Sequence, residues 1–263
     1  MSKPLSRVLL TNDDGVDADG LSCLVDVAET LADEVWVVAP ERDQSGSSHS
    51  VSLHEPIRCR QLAERRFAVS GTPSDCVIMA SQHLMQDALP DLVLSGVNRG
   101  ANVSDSVAYS GTIGAAMTAL VMGLPAVALS QAFRSPEPPP WHTARRHAPE
   151  IIRGLLELDR DAALCFNVNF PAVPPEAVRG RTICRQARGS IASARVEARV
   201  DTRDKPYYWF AFQHESSVVT DPDSDVAALR RDCIGISPLS LERNDTRSEA
   251  LLAQRLDATA PAG

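Results

Sequence analysis

Short, wholly apolar runs alternate with segments of helical spacing through the first 130 residues, and this alternation restricts the fold more than any other feature of the chain. Arg7–Thr11 (R-V-L-L-T) reads as a strand, Gly20–Ala32 sets Leu21, Leu24, Val25, Ala28 and Leu31 on one helical face, and Glu34–Ala39 reads as a buried strand stopped by Pro40. The pattern continues with a helix over Pro73–Met85, a strand at Asp91–Ser95, a helix over Gly111–Met122 and a strand at Ala126–Ser130. Strands with little polar alternation are buried on both faces. Joined by helices, they predict an α/β fold with a Rossmann-like, mostly parallel sheet flanked by helices.

Two stretches interrupt the pattern. Residues 41–72 are too long for an ordinary strand-to-helix loop and carry alternating positions at Ser50–Leu53, Ile57–Cys59 and Phe67–Ser70, which predicts an inserted β-hairpin. Ser135–Pro140 (S-P-E-P-P-P) breaks regular structure, so the chain divides into a Rossmann-like region, 1–134, that carries the hairpin insertion and a carboxyl-terminal region, 135–263, that completes the sheet. In the second region Trp141–Leu158 has helical periodicity interrupted at Pro149, Ala163–Val168 reads as a strand, and residues 181–220 are β-like, most clearly at Tyr207–Gln213. The stretch from Leu241 is charged, and its last residues are expected to be mobile.

Composition removes several functions. With 34 acidic residues against 26 basic ones, a formal charge of -8, the chain is unsuited to gripping a nucleic acid polymer or an anionic membrane. Lys3 and Lys205 are its only lysines, which leaves almost no Schiff-base chemistry. The six cysteines are scattered with no C-x-x-C pair, no apolar run precedes Arg7, and no stretch of about 18 apolar residues occurs. These features predict a soluble, reduced, cytoplasmic protein.

Ligands of a parallel α/β sheet bind at the carboxyl ends of its strands. The first strand runs into Asn12-Asp13-Asp14-Gly15, where two adjacent carboxylates repel unless a cation neutralises them; a hard divalent metal fits, and so does an Asx-turn with Asp14 as a helix cap. After the second strand, Pro40–Ser50 holds Ser45, Gly46 and further hydroxyls that suit either an anion or oxygen ligation, or a plain surface loop. His49 and His54 have no spacing partner and are not assigned to the site. In Gly96-Val97-Asn98-Arg99-Gly100, Asn98 offers an amide oxygen to a hard cation or sits in a glycine-rich turn. Ser110-Gly111-Thr112 opens a helix, where backbone N–H groups and two hydroxyls make either a phosphate cradle or an ordinary N-cap. All four groups fall at one end of one predicted sheet, which favours a shared site over coincidence.

In order and spacing, L-L-T-N-D-D-G-V, V-V-A-P-E-R-D-Q-S-G-S-S, G-T-P-S-D-C-V, P-D-L-V-L-S-G-V-N-R-G-A-N and Y-S-G-T-I-G-A-A-M resemble the SurE (stationary-phase survival protein) family of metal-dependent nucleotidases. The N-V-N-F-P segment and D-S-D-V-A-A-L…I-G-I-S-P-L extend the resemblance over nearly the whole chain. It implies hydrolysis of nucleoside monophosphates at the 5′ position, with the 3′ position and polyphosphate as further candidates. It also implies one divalent ion, Mg2+ or Mn2+, on Asp13, Asp14, Ser45 and Asn98, and phosphate contacts at Ser110, Gly111 and Thr112 with Asn102 close by. Asp13 or Asp14 would accept the proton of the attacking water, and extended hairpins would join subunits into a homodimer or homotetramer. Two positions depart from the family pattern: Ser104 stands where glycine is frequent, and Cys184–Arg188 (C-R-Q-A-R) replaces R-C-G-x-R.

Two other readings compete. L-L-T-N-D-D-G-V also resembles the start of phosphatases with an aspartyl nucleophile, but the nucleophile position is Asn12, whose amide cannot form the phosphoenzyme. The other is a non-catalytic nucleotide-binding module. No G-x-G-x-x-G follows the first strand, which disfavours a dehydrogenase.

Overall fold

The structure is a computed structural model that describes residues 3–158, 164–215 and 220–256. Strands β1 (Leu5–Thr11), β2 (Ala32–Pro40), β3 (Cys59–Ala63), β4 (Arg66–Val69), β5 (Leu92–Arg99), β6 (Ala126–Gln131), β7 (Cys165–Phe170), β8 (Arg181–Ile183) and β11 (Ile234–Leu239) form one sheet among the described residues, ordered β3-β4-β2-β1-β5-β6-β7-β11-β8. From β4 to β7 every pairing is parallel, while β3 and β11 run antiparallel to their inner neighbours. The Rossmann-like fold expected from the apolar runs is therefore present, with antiparallel strands added at its flanks.

Side-chain alternation on the central strands fills both faces. Val8 and Leu10 of β1 pack with Leu21, Leu24 and Val27 of α1 (Asp19–Glu29) and with Ile151 and Ile152 of α4 (Trp141–Leu156). Leu9 points the opposite way, among residues of α2 (Pro73–Met79) and α3 (Gly111–Val121). Each fully buried leucine contributes ~1.5–3 kcal/mol, so α1 and α4 are held to one face and α2 and α3 to the other.

Several expectations change in detail. The helix expected over Pro73–Met85 is α-helical only to Met79 and continues as a π-turn over Ala80–Leu84. Pro149 does not interrupt α4, which runs through it. Burial of Ala144, Ala148, Ile151 and Ile152 against the sheet outweighs the ~3 kcal/mol that an interior proline costs. The 41–72 insertion does contain a hairpin, β3–β4, but β4 pairs with β2 inside the main sheet, so the hairpin extends that sheet and does not stand apart from it. Ser50–Leu53 forms no strand. Its backbone is tied to the start of α2: Thr72 Oγ1 donates to Ser50 O at 2.7 Å, and Ser52 N and Oγ donate to the Asp75 carboxylate at 2.9 and 2.8 Å.

Beyond β8, β9 (Ile191–Val200) and β10 (Pro206–His214) form a separate two-stranded antiparallel sheet, with Trp209 62% and Phe210 81% exposed. Two short helices, α5 (Asp225–Arg230) and α6 (Thr246–Leu256), lie on either side of β11 in sequence. The end of the chain expected to be mobile, 257–263, lies outside the described residues, as do residues 159–163 before β7. Among the described residues no helix is long and apolar enough to cross a membrane, and all six cysteines are free.

Candidate active site at the carboxyl edge of the sheet

From β1 the chain passes to β2 on one side, while β5 lies on the other, so the crevice beyond the carboxyl ends of β1 and β5 is the topological switch point of the sheet. Asn12, Asp13 and Asp14 emerge there. Asn12 is fully buried and donates from Nδ2 to Gly15 O at 2.8 Å, which fixes the turn that presents the two carboxylates. Asp13, only 4% exposed, sits at the amino end of α3, where Thr112 Oγ1 donates to Asp13 Oδ1 at 2.5 Å. Burial pushes the Asp13 carboxyl up, the two Thr112 donors (hydroxyl and backbone N–H) oppose this, and the nearby Asp43 charge adds to the rise. Asp14 is pushed up to about 6, first by burial and then by repulsion from Asp13, while Arg99 N donates to its Oδ2 at 3.0 Å.

Gly111 makes the close approach of α3 to β1 possible. A Cβ at this position would lie 2.6 Å from Ser47 Oγ and 2.9 Å from Asp13 Cβ, so only glycine lets the serine loop, the helix start and the acidic pair converge. The loop is also tied to β1 through Gln44 N, which donates to Asp13 O at 2.7 Å. Asn98 arrives by another device. Gly96, at φ +135°, lies where a Cβ would come within 2.2 Å of Leu129 O, and the β5–β6 register shifts between Ser95 and Asn98. That irregularity turns the end of β5 toward the crevice, and Asn98 Nδ2 then donates to Gly100 O at 2.8 Å.

The sequence-derived residues thus divide. Asp13, Gly111 and Thr112 touch directly, and Asp14 and Asn98 meet through the Arg99 backbone. Ser110 Oγ accepts from Ile113 N at 3.2 Å, so this hydroxyl is the N-cap of α3. Thr112 spends its hydroxyl on Asp13. The Ser45 side chain is exposed, with its N–H on Asp43 Oδ1, whereas the buried hydroxyl against Gly111 belongs to Ser47. Asn102 anchors the loop: its Nδ2 donates to Ser130 Oγ, its N–H to Asn169 Oδ1, and its carbonyl accepts from Asn167 Nδ2. Asp43 and Ser47, not among the residues expected at the site, also border it, and both stand in the serine-rich stretch Pro40–Ser50.

The donors suit a hard cation. Burial pushes both carboxyls toward their protonated forms, with the Asp43 charge adding at Asp13 and the Asp13 charge at Asp14, and a divalent ion would relieve that cost. Asn12 Oδ1 and Ser47 Oγ are buried with no hydrogen-bond partner among the described residues. Among those residues no group of three or more His, Cys, Asp or Glu could hold a metal, so a cation site here combines the Asp13–Asp14 pair with neutral oxygens such as those of Asn98 and the serine loop. An apolar cavity of about 250 Å3, lined by Leu5, Leu92, Leu155 and Phe166, lies at the opposite edge of the sheet and shares no residue with this site.

Sheet and site together define a doubly wound α/β protein with an acidic pair at its switch point. The chain belongs to the SurE family: residues 8–193 match the family model described as survival protein SurE. It is 48% identical over 256 residues to "5′-nucleotidase SurE 1" of Burkholderia lata, covering 97% of this chain and 98% of that one. It is 45% identical over 253 residues to "5′-nucleotidase SurE" of Nitrobacter winogradskyi, covering 95% and 99%. The crystal structure of the SurE protein from Aquifex aeolicus superimposes with a TM-score of 0.79 at 30% identity, covering 95% of this chain and 100% of that one.

Proposed function

We infer that the chain is a nucleotidase that hydrolyses nucleoside 5′-monophosphates to nucleoside and phosphate, using one divalent cation, Mg2+ or Mn2+, per subunit. The observation that carries this reading is an adjacent carboxylate pair at the switch point, Asp13 buried against the amino end of α3 and Asp14 half-buried beside the Arg99 backbone, in a chain whose relatives bear the name 5′-nucleotidase. Asp13, Asp14, Ser45 and Asn98 would hold the cation, which when bound polarises a phosphoryl oxygen and lowers the pKa of water.

In the proposed reaction a water oxygen forms a bond to phosphorus as the ester P–O bond breaks. The more exposed Asp14 accepts the water's proton and returns it, directly or through a second water, to the leaving alkoxide, which becomes the nucleoside hydroxyl. Asp13 is held by the Thr112 hydroxyl and N–H, and the positive amino end of α3, which begins at Ser110, Gly111 and Thr112, stabilises charge on the phosphoryl oxygens. Asn102 holds the loop beneath these groups. Phosphate release from a panel of 5′- and 3′-nucleotides and short polyphosphates, with each cation and after chelation, tests the reading. Cation-dependent release from 5′-nucleotides is expected, and undiminished release after exhaustive chelation would overturn the metal assignment.

We further propose a homodimer or homotetramer joined through the β9–β10 hairpin. The support is its row of exposed aromatic side chains, Tyr208, Trp209 and Phe210.

A further inference from the structure

A second opening lies at the same edge of the sheet as the acidic pair. It is a cavity of about 540 Å3 beyond the ends of β6 and β7, walled by Phe133 and Arg134, Val103, Val226 of α5 and His214 at the end of β10. Its volume falls within the ~300–1,000 Å3 of small-molecule sites. The link to the acidic pair is short. Arg99, whose N–H bonds Asp14, sets its guanidinium 5.1 Å from the centre of the Phe133 ring. A Cβ placed on Gly100 would be 3.9 Å from Asn98 Nδ2 and 4.0 Å from Phe133 Cε1, so Phe133 stands within a side chain's width of Asn98.

The walls match one half of a nucleotide. Phe133 offers an aromatic surface, Val103 and Val226 are apolar, and Arg134 and His214 bring polar groups capable of meeting the edge of a heterocycle. With Phe133 that near Asn98 and Arg99, this opening lies within reach of the remainder of an ester whose phosphate sits beside Asp13 and Asp14. We propose that the cavity is the base subsite, with Phe133 as the stacking platform that makes a nucleoside phosphate a better substrate than the bare sugar phosphate. The inference rests on the nucleotidase reading above.

The test compares kcat/KM for AMP and for ribose 5-phosphate, which keeps the phosphate and sugar but has no base. Stacking of a base on an aromatic side chain contributes ~1–3 kcal/mol, so Phe133→Leu, which keeps apolar bulk, is expected to lower the AMP to ribose 5-phosphate ratio about tenfold, mainly through KM for AMP. Phe133→Trp should restore it. No phosphate release from AMP by the wild-type chain overturns the nucleotidase reading and this inference with it. Release from both substrates with a ratio that Phe133→Leu leaves unchanged overturns the subsite alone. A ratio lowered by His49→Ala and not by Phe133→Leu would put the base in the separate cavity beside α3 that His49 lines, and would also overturn it.

Discussion

Ser104→Gly should stabilise the protein although it removes atoms from the core. Ser104 is fully buried and sits at φ +54°, the left-handed region that costs an L-residue ~1–2 kcal/mol. Its hydroxyl is buried with no partner among the described residues, which costs a further ~1–3 kcal/mol. Against this, glycine adds ~0.5–1 kcal/mol of unfolded-state freedom, and the lost Cβ gives up ~0.8 kcal/mol of burial. The backbone ties survive: Ser104 N still donates to Asp225 Oδ2 at 2.8 Å, and Gln186 Nε2 still donates to the residue 104 carbonyl at 2.8 Å. The balance is a gain of ~1–2 kcal/mol, or a midpoint about 2–4 °C higher in a chain of this size. Thermal melts followed by circular dichroism, at one fixed protein concentration because assembly shifts the midpoint, measure it. Ser104→Ala separates the two contributions, since it removes the hydroxyl and keeps the strained backbone, and should gain less than glycine. An unchanged or lower midpoint for Ser104→Gly would refute the reasoning, and equal gains for alanine and glycine would remove backbone strain from it.

Asp14→Asn should reduce turnover by orders of magnitude while raising the stability of the cation-free protein. A carboxyl raised from 3.8 to about 6 corresponds to ~3 kcal/mol at 1.36 kcal/mol per pH unit, which solvent at this partly exposed group reduces to ~1–2 kcal/mol. The native state holds this proton more tightly than the unfolded chain, so the cation-free wild type should lose stability as pH rises from about 4 to 6, and denaturant melts should show that slope flattened in Asp14→Asn or on adding divalent cation. Gly111→Ala drives a methyl into Ser47 Oγ and Asp13, and should lower kcat at least tenfold with the circular dichroism spectrum unchanged; full activity would show that the acidic pair tolerates displacement. Phe210→Lys in the exposed hairpin should shift light-scattering mass toward the monomer, and an unaltered assembly would place the subunit contact elsewhere.

The centre of the fold was legible because each central strand carries its own instruction. Val8, Leu9 and Leu10 are apolar in succession, which only a strand covered on both faces accommodates, and helical spacing on either side supplies the cover. Boundaries were less legible where long-range bonds overrule local pattern. Ser50–Leu53 alternates like a strand, yet Asp75 and Thr72 capture its backbone from more than twenty residues away, a choice no local window contains. Pro149 reads as a break until the buried stripe on either side of it is known.

The candidate site shows the same division. Asp13, Asp14 and Asn98 were visible because two adjacent carboxylates and a glycine-flanked amide after buried strands are chemically conspicuous. Residue type alone did not separate Ser45 from Ser47, or a phosphate contact from a loop anchor at Asn102. Those roles depend on which hydroxyl the loop turns toward Gly111 and on the buried amides of Asn167 and Asn169 beneath the loop, contacts that each span more than sixty residues of chain. Ser104 joins the two levels. Its neighbours Asn102 and Asp105 tie the loop to β7 and to the β9–β10 hairpin, and Asp225 reaches it from α5, so the carboxyl-terminal region sets the position of a loop that borders the acidic pair. The strain at Ser104 is held by those ties. A glycine there would let the loop rest in the same conformation with less dependence on them.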